Sequence, residues 1–202
     1  RISNNSWGGG GYSQALYDMI EAARLADHLF VAAAGNEAND NDGPFQNYPA
    51  SYDLDNIISV AASTDLDQLA LFSNYGVTSV DLAAPGENIY STLPGGGYGF
   101  NSGTSMACPH VAGAAALVLS RRPGLSFMGI RDAILGAADK VPVLEGRVAT
   151  GGRLNLAAAV MGGGIGAYTA YFRFEDDGGR ALDYTANDDL LLNWRHAGTL
   201  QG

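Results

Sequence analysis

A serine between a glycine-rich stretch and a run of small apolar residues constrains this chain more than any other feature. The glycine-rich stretch, 94–103, leads to Ser105, and the residues from there to Ser120 are mostly small and apolar. This pattern predicts a buried helix over 105–120. The Ser105 hydroxyl would then lie at a helix N-terminus, where unpaired N–H groups and the helix dipole favour negative charge. Two interpretations of Ser105 are open: the nucleophile of an acyl-transfer enzyme, or the N-cap of a core helix.

Composition is typical of a globular protein. The chain has 202 residues, of which 47% are hydrophobic and 16% charged, enough for one sizeable core. Its net charge is −10, and no basic stretch is longer than Arg121-Arg122, so we expect neither a nucleic acid nor a membrane surface as partner. The single cysteine, Cys108, excludes an internal disulfide. It lies among Ala and Val, so we expect a buried thiol rather than a reactive one.

Short apolar runs alternate with helical patterns along most of the chain. Strands are predicted at 28–34, 56–62, 79–84 and 89–93, and the glycine-rich stretch after the last of them is predicted to be a loop. Helices are predicted at 13–26 with Ser13 as N-cap, 105–120, 126–138 and 156–161. The first helix is expected to bury one apolar stripe, formed by Leu16, Met19, Ile20, Ala23 and Leu25. This order of elements predicts an α/β sandwich built on a largely parallel sheet.

Composition changes after residue 161. Gly162, Gly163 and Gly164 are typical of a flexible linker, and the residues beyond them are aromatic, acidic and strand-like. A tail of this length is too short to be a domain of its own. We therefore divide the chain into a domain over 1–161 and a segment over 162–202, interpreted as a linker and the truncated start of a β-rich module.

Two further segments suit the chemistry of a nucleophilic serine. Asn36 ends a predicted buried strand, so its amide could project from a rigid edge as an oxyanion donor; a simple turn asparagine is the alternative. The segment from Ser6 to Gly11, the candidate substrate track, exposes backbone with little side-chain obstruction. An extended peptide could pair with such an edge, although a glycine turn beside a packed Trp7 would give the same pattern.

Taken together, these segments resemble the subtilisin-like serine proteases, the subtilases. The family's signature Gly-Thr-Ser-Met-Ala-x-Pro-His-Val-Ala-Gly is matched at 103–113, with Cys108 at the variable position. Its oxyanion-hole segment is matched by Ala-Ala-Gly-Asn at 33–36, and its substrate-binding strand by Asn-x-Ser-Trp-Gly-Gly at 4–9. Further family landmarks follow in the same order: Tyr-Pro-Ala at 48–50, Phe-Ser-Asn-Tyr-Gly at 72–76, Ala-Pro-Gly at 84–86 and Gly-Arg-Leu-Asn at 152–155. The resemblance covers residues 1–161.

The resemblance implies a subtilisin-like three-layer sandwich, incomplete at its N-terminus. It also implies a secreted or extracellular serine endopeptidase that hydrolyses polypeptides through an acyl-enzyme and needs no cofactor for the chemistry. Ser105 would be the nucleophile, and the Asn36 side-chain amide would stabilise the oxyanion together with the Ser105 N–H. Substrate-binding roles would fall to Ser6, Trp7 and Gly8 for the substrate backbone, and to Ala33, Ala34 and Gly35 for the side of the primary specificity pocket.

The resemblance further implies a catalytic Asp and a catalytic His, which in subtilisin precede the serine in the order Asp, His, Ser. Motifs for neither occur before Ser105 in this sequence. His110 follows Ser105 by five residues, about 140° around a helix, and the resemblance makes it structural. His28 precedes a buried strand, and His196 lies in the tail. We therefore expect the Asp and His in an N-terminal half of the domain upstream of this chain, which alone would be nearly inactive.

Two alternative functions are open at this point. Residues 103–107 approximate the Gly-x-Ser-x-Gly elbow of α/β-hydrolase esterases. That elbow follows a hydrophobic strand, however, whereas 95–102 is glycine-rich and polar. A non-catalytic pseudoprotease would explain the absent base, although Asn36, Ser105 and the substrate track are all intact.

Two smaller expectations concern metal binding and the helix after Ser105. The loop 39–43 is rich in side-chain oxygens but lacks the spaced ligands and terminal bidentate Glu of a defined calcium loop, which favours a solvated turn. The resemblance still allows structural calcium, because calcium is common in the family. Pro109 comes early in the predicted helix, so we expect its missing N–H to cost no helical hydrogen bond.

Overall fold

A largely parallel sheet forms the centre of the chain. The computed structural model describes residues 1–162 and, beyond them, the backbone of two strands. The strands within 1–162 are β1 (Ile2–Asn5), β2 (Leu29–Ala33), β3 (Ile57–Ser63), β4 (Leu82–Pro85), β5 (Ile89–Leu93), β6 (Gly97–Asn101), β7 (Asp139–Lys140) and β8 (Gly152–Arg153). Six of them form one sheet in the order β1-β2-β3-β4-β8-β7, in which only β7 and β8 pair antiparallel. The predicted α/β fold is confirmed.

Helices cover both faces of this sheet. They are α1 (Gln14–Leu25), α2 (Thr104–Arg121), α3 (Phe127–Gly136) and α4 (Leu156–Met161). Strand β2 shows why its sequence is continuously apolar: Leu29 and Val31 pack in the core cluster of α2, whereas Phe30 packs with Ile20 of α1. A strand buried on both faces has no polar side to show. The expected three layers are therefore present in the described residues.

The structure confirms the predicted N-cap of helix α1 but not its predicted apolar stripe. The Ser13 hydroxyl accepts a hydrogen bond from the Leu16 N–H at 3.4 Å, and Ile20 is buried. Met19 and Leu25 are exposed, at 68% and 76%. Leu25 follows Leu16 by nine residues, which places it about 180° around the helix and therefore on the opposite face.

Strand β6 corrects the prediction of a glycine loop before Ser105. Its residues pair antiparallel with β5, with Tyr90 opposite Phe100 and Thr92 opposite Tyr98. Tyr98 and Phe100 alternate with glycines, so the aromatic side chains fall on one face of the hairpin. This period of two indicates a strand, and the low strand propensity of glycine obscured it.

Helix α2 packs closely across the sheet because its inward face is made of small residues. The buried positions follow a helical spacing: Thr104, Ala107, Cys108, Val111, Ala114, Ala115 and Val118. Its first turn meets the segment that follows β4. A Cβ at Gly86 would lie 2.6 Å from the Ala62 Cβ and 2.9 Å from the Gly103 carbonyl oxygen. The helix therefore begins at the edge where the parallel strands end, which is where α/β sheets commonly place their sites.

The predicted second segment lies largely outside the described residues. Two strands are described there, β9 (Tyr171–Phe174) and β10 (Ala181–Tyr184), and their backbones pair antiparallel. The division at residue 161 and the β-rich module stay predictions. Within the described part of the chain, no helix combines the length and apolarity needed to cross a membrane.

Candidate active site

Thr104 joins the end of β2 to the start of α2. Its hydroxyl accepts a hydrogen bond from the Gly35 N–H at 3.2 Å and donates one to the Asn36 Oδ1 at 3.0 Å. Its backbone N–H donates to the same Oδ1 at 2.8 Å. The Thr104 side chain is fully buried, so these bonds are protected from water. The sequence indicates no role for Thr104, because partners 68 residues apart leave no local pattern.

These bonds fix which way the Asn36 amide faces. A backbone N–H can only donate, so the Asn36 atom that it contacts must be the oxygen. With Oδ1 held by two donors from Thr104, the Nδ2 group is the branch of the carboxamide left to donate elsewhere. Asn36 itself is exposed. The prediction of a rigidly held amide donor is consistent with this arrangement.

Ser105 is the second residue of α2, and its hydroxyl is half-buried beside the segment that follows β1. The Ser105 Oγ donates to the Ser6 carbonyl oxygen at 3.2 Å, and the Ser6 Oγ donates to the Ser105 carbonyl oxygen at 2.9 Å. The Ser105 N–H is among the first amides of the helix, which find no carbonyl partner within it. The helix dipole adds a partial positive charge at this end. Ser105, Asn36 and Ser6, three of the predicted site residues, are therefore brought together.

Pro109 corrects one prediction about this helix. It is the sixth residue of α2, so its N–H would have been donated to the Ser105 carbonyl oxygen. The expectation that the missing N–H costs no helical bond is wrong, because the rule applies to the first helical turn and Pro109 lies beyond it. The Ser6 hydroxyl supplies the donor instead.

Asn47 fixes the backbone of the predicted substrate track. Its Oδ1 accepts from the Gly9 N–H at 3.2 Å. A Cβ on Gly8 would lie 2.6 Å from the same oxygen, so a side chain there would displace the track. Trp7 is 49% exposed and meets the ring of Phe30 edge-on, with 6.4 Å between ring centroids. Backbone of the track is thereby presented at the strand edge; its pairing with a substrate stays a prediction.

A polar network beneath the loop after Asn36 connects the substrate track to the backbone of Asn36. The Glu37 Oε2 accepts from the Asn36 N–H at 2.9 Å, from the Asn74 Nδ2 at 2.8 Å and from the Asn47 Nδ2 at 3.2 Å. Asn74 is 1% exposed, and its Nδ2 also donates to the Ala34 carbonyl oxygen at 3.2 Å. Asn74 lies within the family landmark at 72–76, but no local pattern in the sequence indicates this role.

Gly35 has a conformation and surroundings that only glycine fits. Its φ is +115°, and a Cβ there would lie 2.3 Å from the Asn74 Nδ2. Ala33 and Ala34 precede it with side chains buried in two core clusters, at 4% and 0% exposure. Any contact of these two residues with a substrate would therefore be through their backbone. The specificity-pocket role of 33–35 stays a prediction.

Neither histidine of the described residues 1–162 contacts the Ser105 hydroxyl. His110 has its Nδ1 2.8 Å from the Met106 carbonyl oxygen, one turn back along α2. His28 precedes β2, whereas Asn36 follows the other end of that strand. His196 lies outside the described residues. The structural role expected of His110 agrees with its contact to the helix backbone.

Cys108 is a core residue, as expected. Its side chain is fully buried, and the Sγ lies 3.3 Å from the Val31 carbonyl oxygen. Burial raises the pKa of the Cys108 thiol to about 11. At neutral pH the thiol is therefore protonated and a poor nucleophile.

The oxygen-rich loop 39–43 is anchored by hydrogen bonds. Asn41 is fully buried and donates from Nδ2 to the Ala34 carbonyl oxygen at 2.9 Å. Asp42 is exposed but accepts from the N–H groups of Thr78 and Ser79, each at 2.9 Å. The interpretation of a solvated turn is therefore wrong for Asn41. In the part of the chain that the structure describes, no group of three or more His, Cys, Asp or Glu residues is arranged to hold a metal ion.

Comparison with protein families finds a match over most of the chain. The subtilase family model, Peptidase S8, matches residues 1–160. Subtilisin of Bacillus pumilus is 43% identical over 137 residues, which cover 68% of this chain and 49% of that protein. The thermophilic serine proteinase of Bacillus sp. (strain AK1) is 45% identical over 140 residues, covering 69% of this chain and 33% of that protein. The chain thus spans about a third to a half of the length of these relatives.

Comparison with solved structures also finds chains that are similar to this one. A protease from Pseudoalteromonas arctica superposes with a TM-score of 0.70 at 30% identity, covering 79% of this chain and 50% of that one. A chain from the assembly of subtilase cytotoxin SubAB superposes with a TM-score of 0.69 at 31% identity, covering 79% of this chain and 57% of that one.

Proposed function

The chain belongs to the subtilase family of serine proteases, and from that premise we propose that it carries the nucleophile and the oxyanion hole of a serine endopeptidase. The observation that carries the proposal is the pair of bonds from Thr104 to the Asn36 Oδ1. They hold the Asn36 amide beside the N-terminus of α2, where the Ser105 hydroxyl and N–H also lie. The proposed nucleophile and the proposed oxyanion donors would thus be neighbours before any substrate binds.

In the proposed reaction the Ser105 Oγ attacks the carbonyl carbon of a peptide bond. The carbonyl oxygen becomes an oxyanion, which the Asn36 Nδ2 and the Ser105 N–H stabilise by hydrogen bonds. Collapse of the tetrahedral intermediate breaks the C–N bond. The amine half leaves with the proton that a general base took from the Ser105 hydroxyl, and the acyl group stays on Ser105. Water then hydrolyses this ester and restores the free hydroxyl.

The proposed substrate is an extended polypeptide. Backbone of Ser6, Trp7 and Gly8 continues from β1 at the edge of the described sheet, where a substrate strand can pair with it. The Ser6 carbonyl oxygen accepts from the Ser105 hydroxyl in the free protein. A substrate N–H would compete for that acceptor, so binding would release the hydroxyl for attack. Backbone of 33–35 would line the adjoining pocket.

The general base is proposed to come from residues that precede this chain. A serine hydroxyl is a weak nucleophile until a base removes its proton. In residues 1–162 the Ser105 hydroxyl contacts a carbonyl oxygen instead of a base. We propose that the preceding part of the protein supplies the Asp and His of the family, that the protein is secreted, and that calcium, where bound, is structural.

The test is peptide hydrolysis by the full-length protein, by its Ser105→Ala variant and by chain 1–202 alone. We expect turnover by the full-length protein, loss of about 10⁶ in kcat for Ser105→Ala as known for subtilisin, and near-zero activity for the chain alone. Ser120→Ala, an exposed position on the same helix, is the matched control and should keep full activity.

Two outcomes would contradict the proposal. Ordinary protease rates from chain 1–202, abolished by Ser105→Ala, would place the base within the chain. A full-length protein that folds but hydrolyses no peptide would favour the pseudoprotease alternative instead.

A further inference from the structure

The carbonyl group of Ser105, the proposed nucleophile, lacks the donor that it would ordinarily have in its own helix. In α2 that donor would be the N–H of residue 109, four positions further on, and this residue is proline. Proline lacks the N–H, and its ring also crowds the carbonyl of the residue four positions before it. The Ser105 carbonyl oxygen is therefore freed from the helix ladder at the turn that carries the reactive hydroxyl.

Ser6 provides the missing donor from the substrate track. Its hydroxyl donates to the Ser105 carbonyl oxygen at 2.9 Å, across 99 residues of sequence. In the opposite direction, the Ser105 hydroxyl donates to the Ser6 carbonyl oxygen at 3.2 Å. Each serine thus uses its side chain to bond the backbone of the other. Both are half-buried, so water competes only partly for these bonds.

We propose that Ser6 is a positioning residue for Ser105, because its hydroxyl replaces the helical N–H that Pro109 lacks. The inference rests on the proposed peptidase function. The bond ties the first turn of α2, which carries the nucleophile and an oxyanion donor, to the residue whose carbonyl begins the substrate track. Nucleophile and bound substrate strand are then held in one register, and small displacements of such groups are costly for catalysis.

Because Pro109 creates the need for the Ser6 hydroxyl, the two residues must be coupled. In a Pro109→Ala background, residue 109 regains an N–H that can donate to the Ser105 carbonyl oxygen. The Ser6 hydroxyl is then redundant. A residue that served only the substrate track would show no such dependence on position 109.

The experiment is a double-mutant cycle in the full-length protein with Ser6→Ala, Pro109→Ala and both together. We expect Ser6→Ala alone to lower kcat about 10-fold, equivalent to about 1.4 kcal/mol, with KM changed less than about twofold. In the Pro109→Ala background the same change should lower kcat less than about threefold. Ser6→Thr keeps the hydroxyl and should retain most of kcat, and Ser120→Ala serves as the matched control.

A second cycle measures thermal unfolding in the inactive Ser105→Ala background, so it does not depend on peptidase activity. Here Ser6→Ala should lower Tm by about 2–4 °C with Pro109 present and by less than about 1 °C with Pro109→Ala. Equal losses in both backgrounds, in kcat or in Tm, would overturn the inference. A Ser6→Ala effect confined to KM would also overturn it, because the role would then be substrate binding. Coupling in Tm without any peptidase activity would support the replaced bond and refute the proposed function instead.

Discussion

Two segments next to Ser105, the junction of β2 with α2 and the β5–β6 hairpin, are built in opposite ways. At the junction of β2 and α2, a Cβ on Gly35 would lie within 3 Å of side chains of Asn74, Asn47 and Glu37. In the β5–β6 hairpin, a Cβ on Gly97 would meet nothing within 4 Å, and the Tyr98 side chain is 67% exposed. The junction is thus fixed by many simultaneous contacts, whereas the hairpin is held mainly by its own ladder.

The difference shows where the fold concentrates its polar contacts. Electrostatic stabilisation of an oxyanion depends on donors that are oriented before the reaction begins. At the junction the buried Thr104 holds the Asn36 Oδ1 with two hydrogen bonds, and the buried Asn74 accepts from the next backbone N–H, that of Glu37, at 2.8 Å. No comparable network of side-chain hydrogen bonds supports β5 and β6 among the described residues. Changes at the junction should therefore affect stability and catalysis much more than changes in the hairpin.

The largest expected effect is the difference in stability between two glycine-to-alanine variants, one in each segment. Gly35→Ala should cost roughly 4 kcal/mol in the free energy of unfolding, because it combines an unfavourable φ with loss of buried hydrogen bonds. Gly97→Ala should change the same quantity by less than about 0.5 kcal/mol. Urea unfolding of the full-length variants measures both. Similar costs at the two positions would remove the contrast between junction and hairpin.

Replacement of Asn36 tests the oxyanion donor that the junction is proposed to position. Asn36→Ala should lower kcat about 10²–10³-fold, the loss known for a subtilisin oxyanion-hole asparagine, with little change in KM. Removal of Oδ1 also leaves the N–H and the hydroxyl of the buried Thr104 without their acceptor, so the free energy of unfolding should fall by about 1–3 kcal/mol. Steady-state kinetics on a peptide substrate supply the measurement, and a change in KM with kcat intact would assign Asn36 to ground-state binding.

A smaller effect is expected from the residue that orients Asn36. Thr104→Val removes the hydroxyl that accepts from Gly35 and donates to Asn36, but keeps the backbone N–H that also holds Asn36. We expect kcat to fall about 10-fold. The pH dependence of kcat should keep its shape, since Thr104 does not titrate. Unchanged kcat would mean that the backbone bond alone orients the amide.

The smallest expected effect concerns the core beneath the junction. With a thiol pKa of about 11, Cys108 should be on the order of one part in a thousand thiolate at pH 8. Iodoacetamide should therefore fail to alkylate the native protein on a scale of hours and react within minutes in urea. Because the pKa is raised, reactivity should increase as the pH rises towards 11. Rapid alkylation of the native protein at pH 8 would show that this core opens readily.

The residues that meet at the site can be predicted from the sequence, but the hydrogen bonds that hold them there cannot. Ser105 and Asn36 stand in recognisable local patterns, at a helix start and a strand end. Thr104 and Asn74 act through partners 68 and 40 residues away, and such distances leave no periodic signal. Buried hydrogen bonds of this kind become visible only once the sheet has brought its strand ends together.

Fold predictions succeeded where burial on both faces or helical spacing decided the pattern, as in β2 and α2. They failed where a glycine or a proline was compatible with two different local structures. Glycines at 97 and 99 indicated a loop, yet the aromatic residues between and after them formed a strand. Pro109 indicated a harmless early helical position, yet the helix start at Thr104 placed it where an N–H was needed. In both cases tertiary context overrode local propensity.

The most direct test of the central claim is covalent labelling of the full-length protein with diisopropyl fluorophosphate, followed by mass spectrometry of its peptides. This reagent phosphorylates a serine hydroxyl that a base has activated beside oxyanion donors. A nucleophile at Ser105 predicts a single adduct on the peptide containing residues 103–107, with parallel loss of peptidase activity and no labelling of chain 1–202 alone. Inactivation with the adduct on another serine, or peptide hydrolysis that persists after Ser105 is labelled, would contradict it.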